Sequence, residues 1–436
     1  MNETIYRTRR ERLLAQMEEG AAVVASAPQR TRSHDTEHPY RQSSDFYYLT
    51  GFDEDNAVLL LLKRGSETQS VLFVQPKDET MELWTGKRLG VEAAKARFEV
   101  DEVYGVDTYE TKLSELMLNL PVLYVDPFDP LPPYEAARRC ADRLRHRRET
   151  KRPVTRIIDV SHFVRTMRLI KNDGEIALIR KGLAITADAH HHAMQICRDG
   201  MMEYELQVAY EYVFRMGGAD SGAYLTIVAG GDNANTLHYV KNDIALHSGE
   251  LVLVDAGCEY GLYATDITRT FPVGGRFSPA QKELYEMVLD VQLQVIDAIG
   301  PGETKQALQE RSERLMCEGM VRLGILEGEV DALLESKAHK RYFPHGIGHW
   351  MGLDVHDPCP YYDDEGEPIP FAPGMVMTIE PGIYLRADDD KVPERFRGIG
   401  IRIEDNILVT ETGCENLSSA IAKTVEEIEQ RCGASA

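Results

Sequence analysis

Residues Leu251–Pro272 read LVLVDAGCEYGLYATDITRTFP, two β-rich runs either side of the turn-like GCEYG. Alternating Val, Leu, Ile, Thr and Phe favour strands, and the glycines punctuate them, so the stretch predicts a hairpin. With the turn centred between Tyr260 and Gly261, Asp255 and Asp266 become cross-strand partners on one face, their Cβ atoms about 4.5–5.5 Å apart. Two carboxylates at that spacing in a core repel each other. A cation must lie between them, or one must hold a proton. The competing reading has one aspartate capping a turn and the other facing solvent, and this hairpin alone leaves the two readings level.

Two further acids sit in similar surroundings downstream. MVMTIEPGIY (375–384) puts Glu380 at the end of a strand stopped by Pro381 and Gly382. GIGIRIEDNILVT (398–410) alternates Ile399, Ile401 and Ile403 on one face with Arg402 and Glu404 on the other. Singly, each reads as a surface ion pair; four acids on strand ends or interiors of one domain point to a polar site. Between these runs lies HGIGHWMGLDVHD, His345–Asp357. His345 and His349 are four apart, but Gly346, Gly348 and Gly352 each disfavour a helix by about 1 kcal/mol, and no HExxH glutamate is present. In an extended chain the pair still shares a face. Spacing leaves His345, His349 and His356 unranked as metal ligands.

Around this core the pattern is helical and stranded in blocks. Asn172 and Asp173 can cap a helix whose apolar face is Ile176, Ile179, Leu183, Ala187 and Met194, and a second helix is expected over Glu203–Met216. Strand-like AYLTIVAG follows, and long helices are expected over Pro279–Ile299 and Thr304–Leu323. The first third mixes strands (AVLLLLK, SVLFVQP, VLYVD) with helices (VEAAKARF, TKLSELMLNL). The fold class is therefore α+β in two domains, residues 1–172 mixed α/β and 173–436 with a mainly antiparallel sheet flanked by helices. The basic run Arg138–Arg156 reads as a solvated interdomain helix. His190, His191 and His192 lie about 100° apart on a helix and cannot converge on one ion, so they read as surface and boundary histidines.

With 49 basic and 71 acidic side chains the net charge is −22, which disfavours a nucleic-acid partner. The longest aliphatic run, Ala57–Leu62, is far short of the roughly 20 residues of a membrane span. MNETIYRTRRERLLAQ has no hydrophobic signal core, and seven cysteines lie scattered without a CxxC pair. A cytoplasmic protein with reduced thiols is expected, without a membrane or nucleic-acid partner.

The ordered set Asp255, Asp266, His349, Glu380 and Glu404, with its flanking text VLVDAGCEYGLYATDITRTFPVGG, FPHGIGHWMGLDVHD, GMVMTIEPGIY and GIGIRIEDNILVT, resembles the pita-bread metallopeptidases. YRQSSDFYYLTGFDEDNAVLLL and ELWTGKRLG resemble the N-terminal domain of the bacterial aminopeptidase P group within that family. The resemblance implies a C-terminal pita-bread domain with a curved sheet and hydrolysis of an N-terminal Xaa–Pro bond. It implies that the five side chains hold two divalent ions bridged by a hydroxide, most readily Mn²⁺, with Co²⁺ or Zn²⁺ as substitutes. His349 becomes the imidazole ligand, and Glu380 also shuttles the proton. His345 and His238 shape a proline pocket, and His356 stabilises charge on the carbonyl oxygen. Arg402 and Tyr384 orient ligands, and Trp84 caps a substrate site. His247 matches nothing and reads as a surface residue. Peptides with proline second are the implied substrates, and a homo-oligomer, dimer or tetramer, is the implied assembly. Two rivals share the fold: a prolidase restricted to Xaa–Pro dipeptides, and a metal-free peptide-binding module.

Overall fold

The computed structural model describes residues 3–432, which divide into two compact units between Arg168 and Leu169. In the first unit, Val58–Arg64 and Glu67–Val74 form a hairpin closed at Gly65, whose φ of +60° suits a residue without Cβ. Gly20–Ala25 adds antiparallel to Val58–Arg64, and the strands 102–105, 122–125 and 156–159 add parallel, completing a six-stranded mixed sheet. Leu60, Leu62, Val71, Phe73 and Leu123 are buried in its core, as continuous apolar strands require. The basic run is not an interdomain helix. Its first part belongs to the helix Pro132–Arg145 of this unit, which buries Ala136, Ala137, Cys140, Ala141 and Leu144 beneath its arginines.

The second unit opens with the helix Asp173–Ile196, started by the expected cap: the Asn172 side chain accepts from Glu175 N–H and the Glu175 carboxylate accepts from Asn172 N–H. Helices Glu203–Met216, Pro279–Asp297 and Lys305–Arg322 follow close to their expected bounds. The strands form several short sheets, all antiparallel: 227–230, 251–255 and 268–272 in one; 376–379, 405–409 and 414–416 in another; and 382–385 with 399–402. Leu206, Tyr210 and Phe214 from one helix meet Val252, Val254 and Phe271 from the first of these sheets in a single core.

His190 is not a surface residue. It is fully buried, its Nδ1 2.9 Å from the Tyr210 hydroxyl and its Nε2 3.2 Å from Ala256 O. Burial, reinforced by the charge of Arg269, lowers its pKa to about 3, so it stays neutral. The core continues to this face of the helix, where Ala189, Ala193 and Met194 are buried beside it. His247 is exposed, as expected.

Arg269 holds the two halves of this unit's sheet system together. Its guanidinium is wholly buried, 2.7 Å from Asp405 Oδ1, and also donates to the carbonyls of Glu404, Ile421 and Ala422. That fixes the strand after Glu404 against the one after Asp266, and so brings distant acids into register.

Candidate metal centre

The hairpin turns one residue later than its spacing suggests. Tyr260 pairs with Tyr263, leaving Gly261 and Leu262 as the central turn residues at φ +58° and +66°, a combination typical of the primed turns that hairpins favour. Asp255 therefore faces Thr268, and Asp266 lies two residues short of that partner instead of opposite it. Two is an even step, so the face is kept. Ligand-capable oxygens of Asp255, Asp266 and Glu404 lie within 4.8 Å of one another. Between the strands the facing backbone closes in on Gly257, where a Cβ would sit 1.8 Å from Thr265 O.

Glu380 follows the strand Val376–Ile379, and the His345–His349 segment runs alongside it: Thr378 N–H donates to His349 O and Glu380 N–H donates to Ile347 O. This close approach explains Gly348, where a Cβ would sit 1.9 Å from Thr378 O. His349, Glu380 and Glu404 form a second ligand-capable group, and Asp266, His349 and His356 a third. All five sequence-derived ligands thus converge, and geometry alone would also admit His356.

The imidazole orientation discriminates further. His349 Nδ1 lies 3.0 Å from Trp350 O, and a carbonyl can only accept, so Nδ1 carries a proton. Nε2 is then left facing Asp266 Oδ2 at 3.3 Å and Glu380 Oε1 at 3.6 Å. Burial disfavours an imidazolium there, but the hydrogen bond and charge of Asp266, with Glu380, outweigh it and push the pKa to about 9. Glu380 is pushed up to about 7, chiefly by burial, with His349 opposing and Asp266 reinforcing. Burial and the neighbouring carboxylates raise Glu404 well above the ordinary range, and burial also raises Asp255 despite Arg402.

His345, by contrast, is committed elsewhere. Its Nδ1 donates to Gly346 O at 2.8 Å, so Nε2 accepts from the Tyr384 hydroxyl at 2.8 Å. Burial, then Arg402, lowers its pKa to about 4. Arg402 donates to Tyr384 Oη at 3.0 Å, to Thr268 Oγ1 at 3.0 Å and to Asp255 Oδ2 at 2.6 Å, tying His345 to the first aspartate through one buried guanidinium. His238, His345 and His356 line the same cavity of about 330 Å³ as the five ligands. The His356 ring packs edge-on to His349 at 4.2 Å between centroids. Trp84 belongs to the first unit, on the helix Glu79–Thr85, and is 79% exposed.

Several contributors were not anticipated. The Tyr224 hydroxyl lies 2.5 Å from Asp255 Oδ1 and 2.6 Å from Asp266 Oδ1, one proton between two carboxylates. Thr268 donates to Glu404 at 2.7 Å and Thr378 to Glu380 at 3.2 Å. Buried Glu203 accepts from Gly230 N–H, Asn233, Tyr239 and Ile244 N–H, pinning the loop that carries Leu237 and His238. Lys305 also lines the cavity; burial lowers its pKa, with the charge of Glu380 opposing.

The donor set suits divalent cations. Four carboxylates converge on one buried guanidinium and the His349 imidazole, and their crowding in a buried site shows in the raised pKa values of Glu380 and Glu404. Hard oxygen donors with one correctly presented imidazole nitrogen match cations of the Mn²⁺ or Zn²⁺ kind. The carboxylates are oriented by Thr268, Thr378, Tyr224 and Arg402, and the imidazole by Trp350 O, the outer partners that metal sites require.

Fold and site together define a metal-dependent hydrolase of the carboxylate-rich kind. The chain belongs to metallopeptidase family M24, whose sequence model matches residues 177–411. Residues 6–124 match the aminopeptidase P N-terminal domain. The chain is 44% identical to the Xaa-Pro aminopeptidase of Escherichia coli K12, covering 97% of this chain and 96% of that protein. It is 35% identical to human Xaa-Pro aminopeptidase 3, over 99% and 86% respectively. Zinc-substituted E. coli aminopeptidase P in complex with product superposes with a TM-score of 0.96 at 42% identity, covering 100% of this chain and 99% of that one. The fold of two domains, the second of the pita-bread type, is therefore that of the aminopeptidase P structures.

Proposed function

We propose that this chain hydrolyses the peptide bond between an N-terminal residue and a following proline, as an Xaa-Pro aminopeptidase. The observation that carries this is the convergence of Asp255, Asp266, His349, Glu380 and Glu404 on one cavity in a chain whose full length matches such enzymes. We assign these five side chains to holding two divalent cations, Mn²⁺ in the first place. Cations bound there supply an activated water and polarise the scissile carbonyl.

The chain's own groups do the rest. Glu380, beside the site where water would be activated, takes a proton from the attacking water and passes it to the departing proline nitrogen, a secondary amine that must be protonated to leave. His238 and His345 shape the proline pocket, and the neutral His345 is held in place by Tyr384 and Arg402. His356 donates toward the carbonyl oxygen as charge develops. Trp84 is assigned to capping a substrate site of a neighbouring copy in a homo-oligomer, dimer or tetramer. We divide the chain near residue 172 into a substrate-access domain and a catalytic domain. No helix of the described residues is long and apolar enough to cross a membrane, and all seven cysteines are free thiols, which supports a cytoplasmic location.

A series of peptides beginning Xaa–Pro and increasing in length, assayed with Mn²⁺, tests this reading. Cleavage of Xaa–Pro–Yaa–Zaa at the prolyl bond is expected, together with its loss in Asp255→Asn. Cleavage of dipeptides alone would make the protein a prolidase, and full turnover after exhaustive metal removal would overturn the mechanism.

A further inference from the structure

Lys305 stands out because its placement runs against local preference. It is the first residue of the helix Lys305–Arg322, capped by Thr304, whose hydroxyl accepts from Ala307 N–H at 3.2 Å. A positive side chain there opposes the helix dipole, and no acidic residue shares the first turn to offset it. Among the described residues Lys305 has no ion pair and no hydrogen bond. Its one close polar contact is with an aromatic face, the ammonium 4.2 Å from the Tyr361 ring centroid. A half-buried ammonium in that position, facing a cavity with no carboxylate among the described residues in ion-pair reach, breaks a local rule, and such breaks concentrate at functional sites.

The ammonium's surroundings locate what it meets. A Cβ built on Gly346 would lie 3.9 Å from Nζ, so the ammonium lies beside Gly346, the chain neighbour of His345, and it shares the cavity wall with His345, Gly348 and Glu380. His345 is the histidine assigned to the proline pocket, so the charge lies on the proline side of the scissile bond. We propose that Lys305 recognises a carboxylate carried by the peptide on that side, which makes it a specificity-determining residue. The inference rests on the aminopeptidase reading above. The carboxylate has two sources: the free C-terminus of a short peptide, or an acidic side chain just after proline.

The test compares matched peptides on the metal-loaded enzyme at low salt. One arm sets Xaa–Pro–Gly against its C-terminal amide; the other sets Xaa–Pro–Asp–amide against Xaa–Pro–Asn–amide. In at least one arm the anionic member is expected to have about tenfold higher kcat/KM, expressed mainly in KM, as for one charge-assisted contact partly open to water. Lys305→Met should bring that ratio to about one, and Lys305→Arg should retain it. The arm showing the preference identifies the source of the carboxylate. A wild-type ratio of one in both arms, or a ratio unchanged in Lys305→Met, overturns the proposal while leaving the aminopeptidase reading intact. No prolyl cleavage of any of the four peptides would overturn both.

Discussion

Metal uptake by this protein should depend steeply on pH, and the slope can be worked from two side chains. In the metal-free protein His349 holds two protons up to about pH 9, because Asp266 and Glu380 favour the imidazolium more than burial opposes it. A cation needs the Nε2 lone pair, so binding must expel that proton. At pH 7 the expulsion costs about 3 kcal/mol, about a hundredfold in apparent affinity relative to the fully deprotonated site. Below about pH 7 Glu380 also holds its proton, so the slope should be at least one proton above that pH and steeper below it, with the raised Glu404 adding to it. Competition with a metal-binding chromophore between roughly pH 6 and 9 measures it. His349→Ala should lower affinity and remove one proton from the slope. Affinity that stays flat between pH 7 and 9 in the wild type would refute the protonated state of metal-free His349, and an unchanged affinity in His349→Ala would refute its placement as a ligand. The same linkage sets the stability of the metal-free protein. A pKa raised above the free value of 6.5 stabilises fully below that pH, and the contribution is lost as pH rises toward 9. The denaturation midpoint of the metal-free protein should therefore fall across that window.

Other perturbations separate ligand, positioning and scaffold roles. His356→Ala should lower kcat by about a hundred- to a thousandfold while metal content, measured by elemental analysis, stays unchanged; loss of metal would make His356 a ligand. Lys171→Met breaks a pair buried on both sides, Nζ to Asp357 Oδ2 at 3.0 Å beside His356, and should cost about 3–5 kcal/mol in urea denaturation. Gly348→Ala forces a Cβ against Thr378 O and should displace His349, so metal affinity should fall more than global stability.

How far the sequence revealed this site depends on whether each feature is local. The helix start at Asn172–Glu175 was readable because a capping box is a local motif. The convergence of Asp255 and Asp266 was readable despite a misplaced turn, because an error of two in the partner preserves the face. Tyr224, Thr268 and Thr378 were not, since each acts through a partner set by tertiary approach. Lys305 was hidden for the same reason: its role appears only when the helix start meets the cavity wall. The misreading of Arg138–Arg156 came from weighing its charges above the small apolar stripe of Ala136, Ala137, Cys140 and Leu144 beneath them.

The most direct test of the metal centre is a titration of exhaustively chelated protein with Mn²⁺, following prolyl-bond hydrolysis against metal equivalents per chain. Activity should be absent at the start and reach its plateau at two equivalents. Turnover before any metal is added, or a plateau at a single equivalent, would contradict the assignment of Asp255, Asp266, His349, Glu380 and Glu404 to a paired-cation centre.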